Sequence, residues 1–142
     1  MARLDKIVDF YFTDSGDFCL DTNGDIKTTK NILYRGLLQR VLTRLQSQKG
    51  EWATQRTIGA NIGNFLGKPN TRAVATKIQN TIVAELSRDD LLRSSEYVVD
   101  IFPVSSSKIV IVIVISPARS SGELALTLTY DLRTNRLIPR NV

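Results

Sequence analysis

The chain contains no histidine, and its only cysteine is Cys19. The first absence removes the commonest general base and the commonest transition-metal ligand. A lone thiol makes neither an internal disulfide nor a zinc site. Methionine and tryptophan also occur once each. No stretch approaches the ~20 consecutive apolar residues of a membrane helix. The first ten residues, M-A-R-L-D-K-I-V-D-F, lack the apolar region of a secretory signal. There is no G-x-x-x-x-G-K-[ST], no G-x-G-x-x-G and no G-x-S-x-G. Glu51 and Glu85 are the only glutamates of the helical half, and neither sits in a motif that specifies a site. These absences lead us to expect a soluble, non-enzymatic protein of a reducing or unspecialised compartment, with no catalytic residue, metal or cofactor and no membrane partner.

Acidic charge is nearly missing from the middle of the chain. The net charge of +5 hides this segregation. Residues 1–25 hold six aspartates against Arg3 and Lys6, a net of −4. Residues 26–84 hold ten lysines and arginines against Glu51 alone, a net of +9. Residues 85–142 hold seven of each sign. A basic block is usually a solvated face, but it also suits a polyanion or an acidic protein partner. Nucleic-acid binding therefore stands as the alternative reading, although no helix-turn-helix, zinc finger or aromatic RNA-binding motif accompanies the charge.

With 142 residues the chain fits one domain. Its composition changes along the chain, dividing it into an acidic β-hairpin region (1–28), a basic helical region (29–93) and antiparallel strands (94–142). In the first region Phe10, Phe12, Phe18 and Leu20 sit in short alternating runs, with D-S-G-D and N-G turn signals between and after them. D-T-N-G-D invites a calcium-loop reading. Its glycine comes one position too early for an EF-hand, and the twelfth position from Asp21 is Ile32.

Leu37, Leu38, Val41, Leu42 and Leu45 recur at helical spacing and predict a helix over 30–48. Thr29 or Asn31 is its expected N-cap and Gly50 its C-cap. Trp52 reads as a core or boundary anchor. Ile58, Ile62 and Phe65 suggest a short helix broken by Gly59 and Gly63. Val74, Ile78, Ile82 and Leu86 predict a second long helix over 71–87, with Asn70 placed to cap it. Residues 96–104 read as a strand that Pro103 confines to an edge or ends.

Residues 109–115, I-V-I-V-I-V-I, are seven β-branched residues in a row, stiff at χ1 and suited to a pleated strand. Isoleucines line one face and valines the other, so both faces call for cover. Residues 124–130 alternate leucine and threonine, and 136–142 form a short basic end. The expected fold is α+β, with an N-terminal β-hairpin and two main helices on one face of a C-terminal antiparallel sheet.

The order of signals over 17–52 carries a resemblance. D-F-C-L-D-T-N-G-D-I is followed by I-L-Y-R-G-L-L-Q-R-V-L-T-R-L-Q-S-Q-K-G-E-W, then by I-G-A-N-I-G-N-F-L-G-K-P-N-T. An acidic N-G hairpin, a helix with spaced arginines, a G-E-W ending and a glycine-containing short helix closed by proline resemble the baseplate wedge family of contractile tails. That family includes the baseplate assembly protein W group, some members of which carry a lysozyme-like label, and the matching type VI secretion subunit. The resemblance spans about 17–131. The chain departs from it in having Lys68 before Pro69 and no Glu-Pro-Arg segment.

The resemblance implies a structural virion protein, assembled in the host cytoplasm into a hetero-oligomeric phage tail baseplate. Its partners would be the tail sheath protein and other wedge subunits. It would initiate the sheath by offering a strand edge, expected at Leu124, Ala125, Leu126, Thr127, Leu128, Thr129 and Tyr130 or on the hairpin neighbour of that strand. Arg35, Arg40 and Arg44 would face the rest of the baseplate.

Overall fold

A computed structural model describes residues 8–13, 17–30, 35–116 and 124–140. Two long helices, α1 (Arg35–Gln46) and α2 (Arg72–Ser87), precede a four-stranded sheet. Its strands are β1 (Tyr97–Pro103), β2 (Lys108–Ile115), β3 (Leu124–Asp131) and β4 (Arg136–Arg140), all antiparallel and in the order of the sequence. The fold is α+β, as the segregation of helix and strand signals predicts. The chain separates into two compact units, Met1–Leu42 and Thr43–Val142.

The first unit holds the acidic hairpin region and the larger part of α1. Residues 9–13, 17–21 and 25–29 form a small meander in which each segment bonds to both others. Tyr11 N donates to Lys27 O, Lys27 N to Cys19 O, and Thr13 N to Asp17 O. The N-G signal becomes a three-residue loop. Asp21 N donates to Asp25 O, and Gly24 takes φ +84, the left-handed conformation that glycine adopts without steric cost. The Asp21 carboxylate accepts from the backbone of Asn23 and Asp25, so its chemistry is that of a turn. The buried Thr29 hydroxyl accepts from Asp9 N. Residues 31–34, including the other expected cap Asn31, lie outside the described residues.

Gln39 and Arg35 tie the meander to α1. Gln39 is buried and spans two backbone groups, accepting from Phe12 N (2.9 Å) and donating to Phe10 O (2.7 Å). Arg35 donates to Phe12 O at 2.6 Å. By periodicity both residues belong to the helix's polar face. That face is here a docking face for backbone.

The second unit is built on the sheet. Ile109, Ile111, Ile113 and Ile115 are fully buried, and Leu126, Leu128 and Tyr130 from β3 extend the same face. At about 25 cal/mol per Å² of apolar area, this run supplies a large share of the unit's hydrophobic stabilisation. α2 buries Val74, Ile78, Ile82 and Leu86 and packs along β1. Its N-cap is Thr71, whose hydroxyl accepts from Val74 N. Asn70, the expected cap, instead donates to Ser105 O (2.6 Å) and so pins the β1–β2 turn. The last turn of α1 also meets the sheet, with Leu45 buried and Gln46 donating to Leu137 O.

Helix α1 stops at Gln46, earlier than the expected end at 48. The Ser47 hydroxyl turns back to Thr43 O at 2.6 Å. Gly50 takes φ +92 in the turn that follows and is not the cap. The stretch after it is held from the helices. Ala60 N donates to Arg44 O, and Gly59 N donates to the buried Glu85 carboxylate at 2.9 Å. Gly59 has φ +138, and a Cβ there would lie 2.6 Å from the Gln48 carbonyl carbon, so only glycine fits. Trp52 is half-exposed and donates to Ser47 Oγ, a boundary position. The short helix expected near 58–66 is one 3-10 turn, Ile62–Phe65.

The sequence reading leaves 136–142 as a basic end, yet Arg136–Arg140 is a strand. Asn135 takes φ +55 and lets the chain reverse, so that Arg136 pairs with Asp131 and Ile138 with Thr129. The strand β3, expected at an edge, is therefore internal over Thr127–Asp131. The edges of the sheet are β1 and the hairpin neighbour β4.

Candidate assembly surfaces

The backbone at each edge follows from side-chain bonds. Gln79 donates to Val99 O at 2.7 Å, so Val99 turns its N–H and C=O away from β2. Residues two apart share that direction, so Ile101 and Pro103 also face outward. On β4, Gln46 donates to Leu137 O at 3.3 Å, so Leu137 and Pro139 face outward. Each edge thus carries a proline where an N–H would have pointed at solvent, and each has one outward carbonyl occupied by a helix glutamine. Both are devices that blunt an edge against unwanted pairing.

What stays available is limited. On β1 the outward groups include the Val99 N–H, both groups of Tyr97 and of Ile101, and the Pro103 C=O. On β3 the described part of β4 reaches only as far as Thr127, whose partner is Arg140. Leu124, Ala125 and Leu126 lie past it, and by the same alternation the Ala125 N–H and C=O point to the β4 side. Of the seven residues expected to offer an edge, Leu126, Leu128 and Tyr130 are buried core side chains. Thr127 and Thr129 are paired on both flanks.

The valine face of the sheet is the second surface. Val98 pairs with Val114, Asp100 with Val112, and Phe102 with Val110. On β3 these rows continue through Ala125, Thr127 and Thr129, and Ile138 on β4 pairs with Thr129. Val98, Phe102 and Ile138 are more than half exposed, and the three β2 valines are partly exposed between their neighbours. Among the described residues, the demand for cover on both faces of β2 is met on the isoleucine side only.

The three arginines have different surroundings. Arg44 is nearly buried: its guanidinium donates to Glu85 O (3.1 Å) and Arg88 O (2.9 Å) at the end of α2 and lies 3.7 Å from the Asp89 carboxylate. Arg35 is partly buried, bonded to Phe12 O and stacked on the Tyr11 ring at 4.6 Å. Arg40 alone has an exposed side chain.

An open pocket of about 260 Å³ lies between the last turn of α1 and the β3–β4 hairpin, lined by Gln46, Gln48, Gly63, Tyr130 and Asn135 among others. The Tyr130 hydroxyl sits between the Ile62 carbonyl (3.0 Å) and Asn135 Oδ1 (2.9 Å). Burial, and secondarily the charge of Asp131, push its pKa above 10.0. The partly buried Asp131 carboxyl is held below its ordinary range, chiefly by the bond from Arg133 N. The pocket's lining supplies carboxamides and a phenol but no carboxylate or amine. Among the described residues no group of His, Cys, Asp or Glu could hold a metal ion, and no helix is long and apolar enough to cross a membrane.

No protein-family model matches the chain, and no curated protein matches it. A solved structure does: a chain in the cryo-EM structure of the anti-feeding prophage (AFP) baseplate, six-fold symmetrised. The match covers 92% of this chain and 90% of that chain, with a TM-score of 0.51 and 13% identity. At that identity the likeness is one of fold, and it takes in both the hairpin region and the helix–sheet unit.

Proposed function

We propose that this protein is a non-enzymatic structural subunit of the baseplate of a contractile, phage-tail-like particle, working within a hetero-oligomeric assembly. The observation that carries this is the fold likeness over 92% of the chain to a component of a prophage baseplate. The sequence resemblance to baseplate wedge proteins points the same way from different evidence. An assembly role also suits a molecule that leaves one sheet face apolar and exposed.

The finer part of the proposal is sheath initiation by strand addition. Backbone hydrogen bonds would give the affinity and alternate side chains the register. The incoming strand would add at Leu124, Ala125 and Leu126, beyond the described pairing of β3 with β4, or on the β1 edge at Ile101. The interior of β3 is already paired. Arg40 would contribute to docking on neighbouring wedge subunits through charge.

The test is seeding of polymerisation of the cognate sheath subunit. Wild-type protein should shorten the lag. Ala125→Pro removes the N–H on the β4 side while sparing the β2–β3 ladder, and it should abolish the effect. Normal seeding by Ala125→Pro and by Ile101→Pro alike would sink strand addition. Absence of the chain from purified particles would sink the baseplate reading itself.

A further inference from the structure

The open face of the sheet carries an ordered charge pattern as well as an apolar centre. Its residues fall into four registered rows. Val98, Val114 and Ala125 make the first, and Asp100, Val112 and Thr127 the second. Phe102, Val110, Thr129 and Ile138 make the third. The fourth row is Lys108, Asp131 and Arg136, and it closes one end of the face with charges of alternating sign. Lys108 and Arg136 are exposed and Asp131 is partly buried. All of these residues belong to the second unit. A nucleic acid or an anionic lipid surface would meet Asp100 and Asp131 together with the two cations, so the mixed signs serve neither.

The same pattern is complementary to itself. Two identical faces stack about a two-fold axis that lies between them, with their strands within about 30° of each other. An axis across the strands would set the charged row on the Val98–Val114–Ala125 row of the second copy. Lys108 and Asp131 would then be covered by apolar side chains, which is costly. An axis along the strands, between β2 and β3, lays β2 over β3 and β1 over β4. The charged row then falls on itself in reverse, with Lys108 towards Asp131 of the second copy and Asp131 towards its Lys108. Phe102 meets Ile138, Val110 meets Thr129 and Val112 meets Thr127. The four-carbon stem of Lys108 spans the offset that the strand crossing introduces at that end. The face measures about 20 Å along the strands and about 20 Å across them. Two copies hide about 800 Å² in projection, below the roughly 1,200–2,000 Å² of stable complexes, so the pairing is weak.

We propose that the valine face docks a second copy of this chain, forming a weak symmetric dimer with its two-fold axis along the strands and the Lys108–Asp131 pairs exchanged between copies. At micromolar concentration the chain is monomeric and the face open; at high local concentration the copies cover each other. The proposal rests on this face alone and does not depend on which particle the chain enters.

The test is sedimentation velocity of the full chain from about 10 μM to about 1 mM, the range in which a weak dimer forms. Wild-type protein should pass from monomer towards dimer. Val112→Lys puts a charge at the centre of the face and should weaken dimerisation by at least about tenfold. Lys108→Asp and Asp131→Lys, each alone, set like charges against each other and should stay monomeric, with circular dichroism checking that each is folded. Mixed one to one, the two variants carry opposite charge at positions 108 and 131, and the dimer should reappear in the mixture alone. Recovery on mixing cannot come from a repair within one chain. Wild-type protein that stays monomeric at about 1 mM, dimerisation that survives Val112→Lys, or a folded mixture that stays monomeric would overturn the proposal. So would self-association lost in Phe18→Ser, which would assign the contact to the meander. Val112→Lys, on the open side of the sheet, keeps the proposal refutable should Asp131→Lys fail to fold.

Discussion

Replacing Arg44 and Arg40 separately with alanine should split stability from binding. The two residues sit one turn apart on α1 and look alike in the sequence. Arg44 has only 12% of its side chain exposed and donates to two carbonyls at the end of α2. Removing a charged donor from such carbonyls costs about 1.5–3 kcal/mol. The ion pair with Asp89 adds little, at most about 1 kcal/mol, because Asp89 is 65% exposed. Arg44→Ala should therefore cost about 2–4 kcal/mol. For a domain of this size that lowers Tm by roughly 6–16 °C. Arg40→Ala should stay within about 0.5 kcal/mol, as exposed substitutions do. Thermal unfolding followed by circular dichroism measures both. Equal losses for the two variants, or a silent Arg44→Ala, would refute the reading of Arg44 as the clamp that ties α1 to the end of α2.

Three further outcomes follow from the geometry. Gly59→Ala places a Cβ against the Gln48–Lys49 backbone at φ +138 and should cost about 2–5 kcal/mol in urea unfolding. Ile111→Ala should cost about 2–5 kcal/mol, whereas Val112→Thr on the exposed face should cost under about 1 kcal/mol; similar costs would mean that the valine face is covered. Because the folded pKa of Tyr130 is raised above 10.0, stability present below that pH should be lost as pH rises through the folded value. Tyr130→Phe should flatten this alkaline limb, which pH-dependent denaturant melts would detect.

Periodicity carried much of the fold. The isoleucine–valine run marked β2, and the four-residue spacing of Val74, Ile78, Ile82 and Leu86 marked α2, because one covered face imprints itself on residue choice. What periodicity misses is chemistry between distant residues. Gln39 and Arg35 occupy polar helix positions yet bind the meander backbone. Arg44 looks like part of a basic stripe yet closes the end of α2. The strand β4 was concealed by its arginines, which suit a solvent edge, and by Pro139, which reads as a breaker unless its missing N–H is known to face outward. Of the two expected edges, Leu124–Tyr130 and its hairpin neighbour, the sheet order leaves the neighbour outermost: the leucine–threonine alternation marks one face buried and one open, but it does not reveal how many neighbours a strand has. The unbroken apolar run of β2 pointed to the exposed valine face, whereas the alternation at Phe10, Phe12, Phe18 and Leu20 gave no sign that Phe10, Phe18 and Leu20 are exposed.

The central claim is membership of a contractile-tail baseplate. Its most direct test is cryo-EM of contractile particles purified from cells that produce this protein with a small epitope tag, labelled with antibody fragment. The account predicts label at the baseplate end of the tail, next to the first sheath ring. Particles that assemble a complete baseplate and sheath without the chain would contradict it.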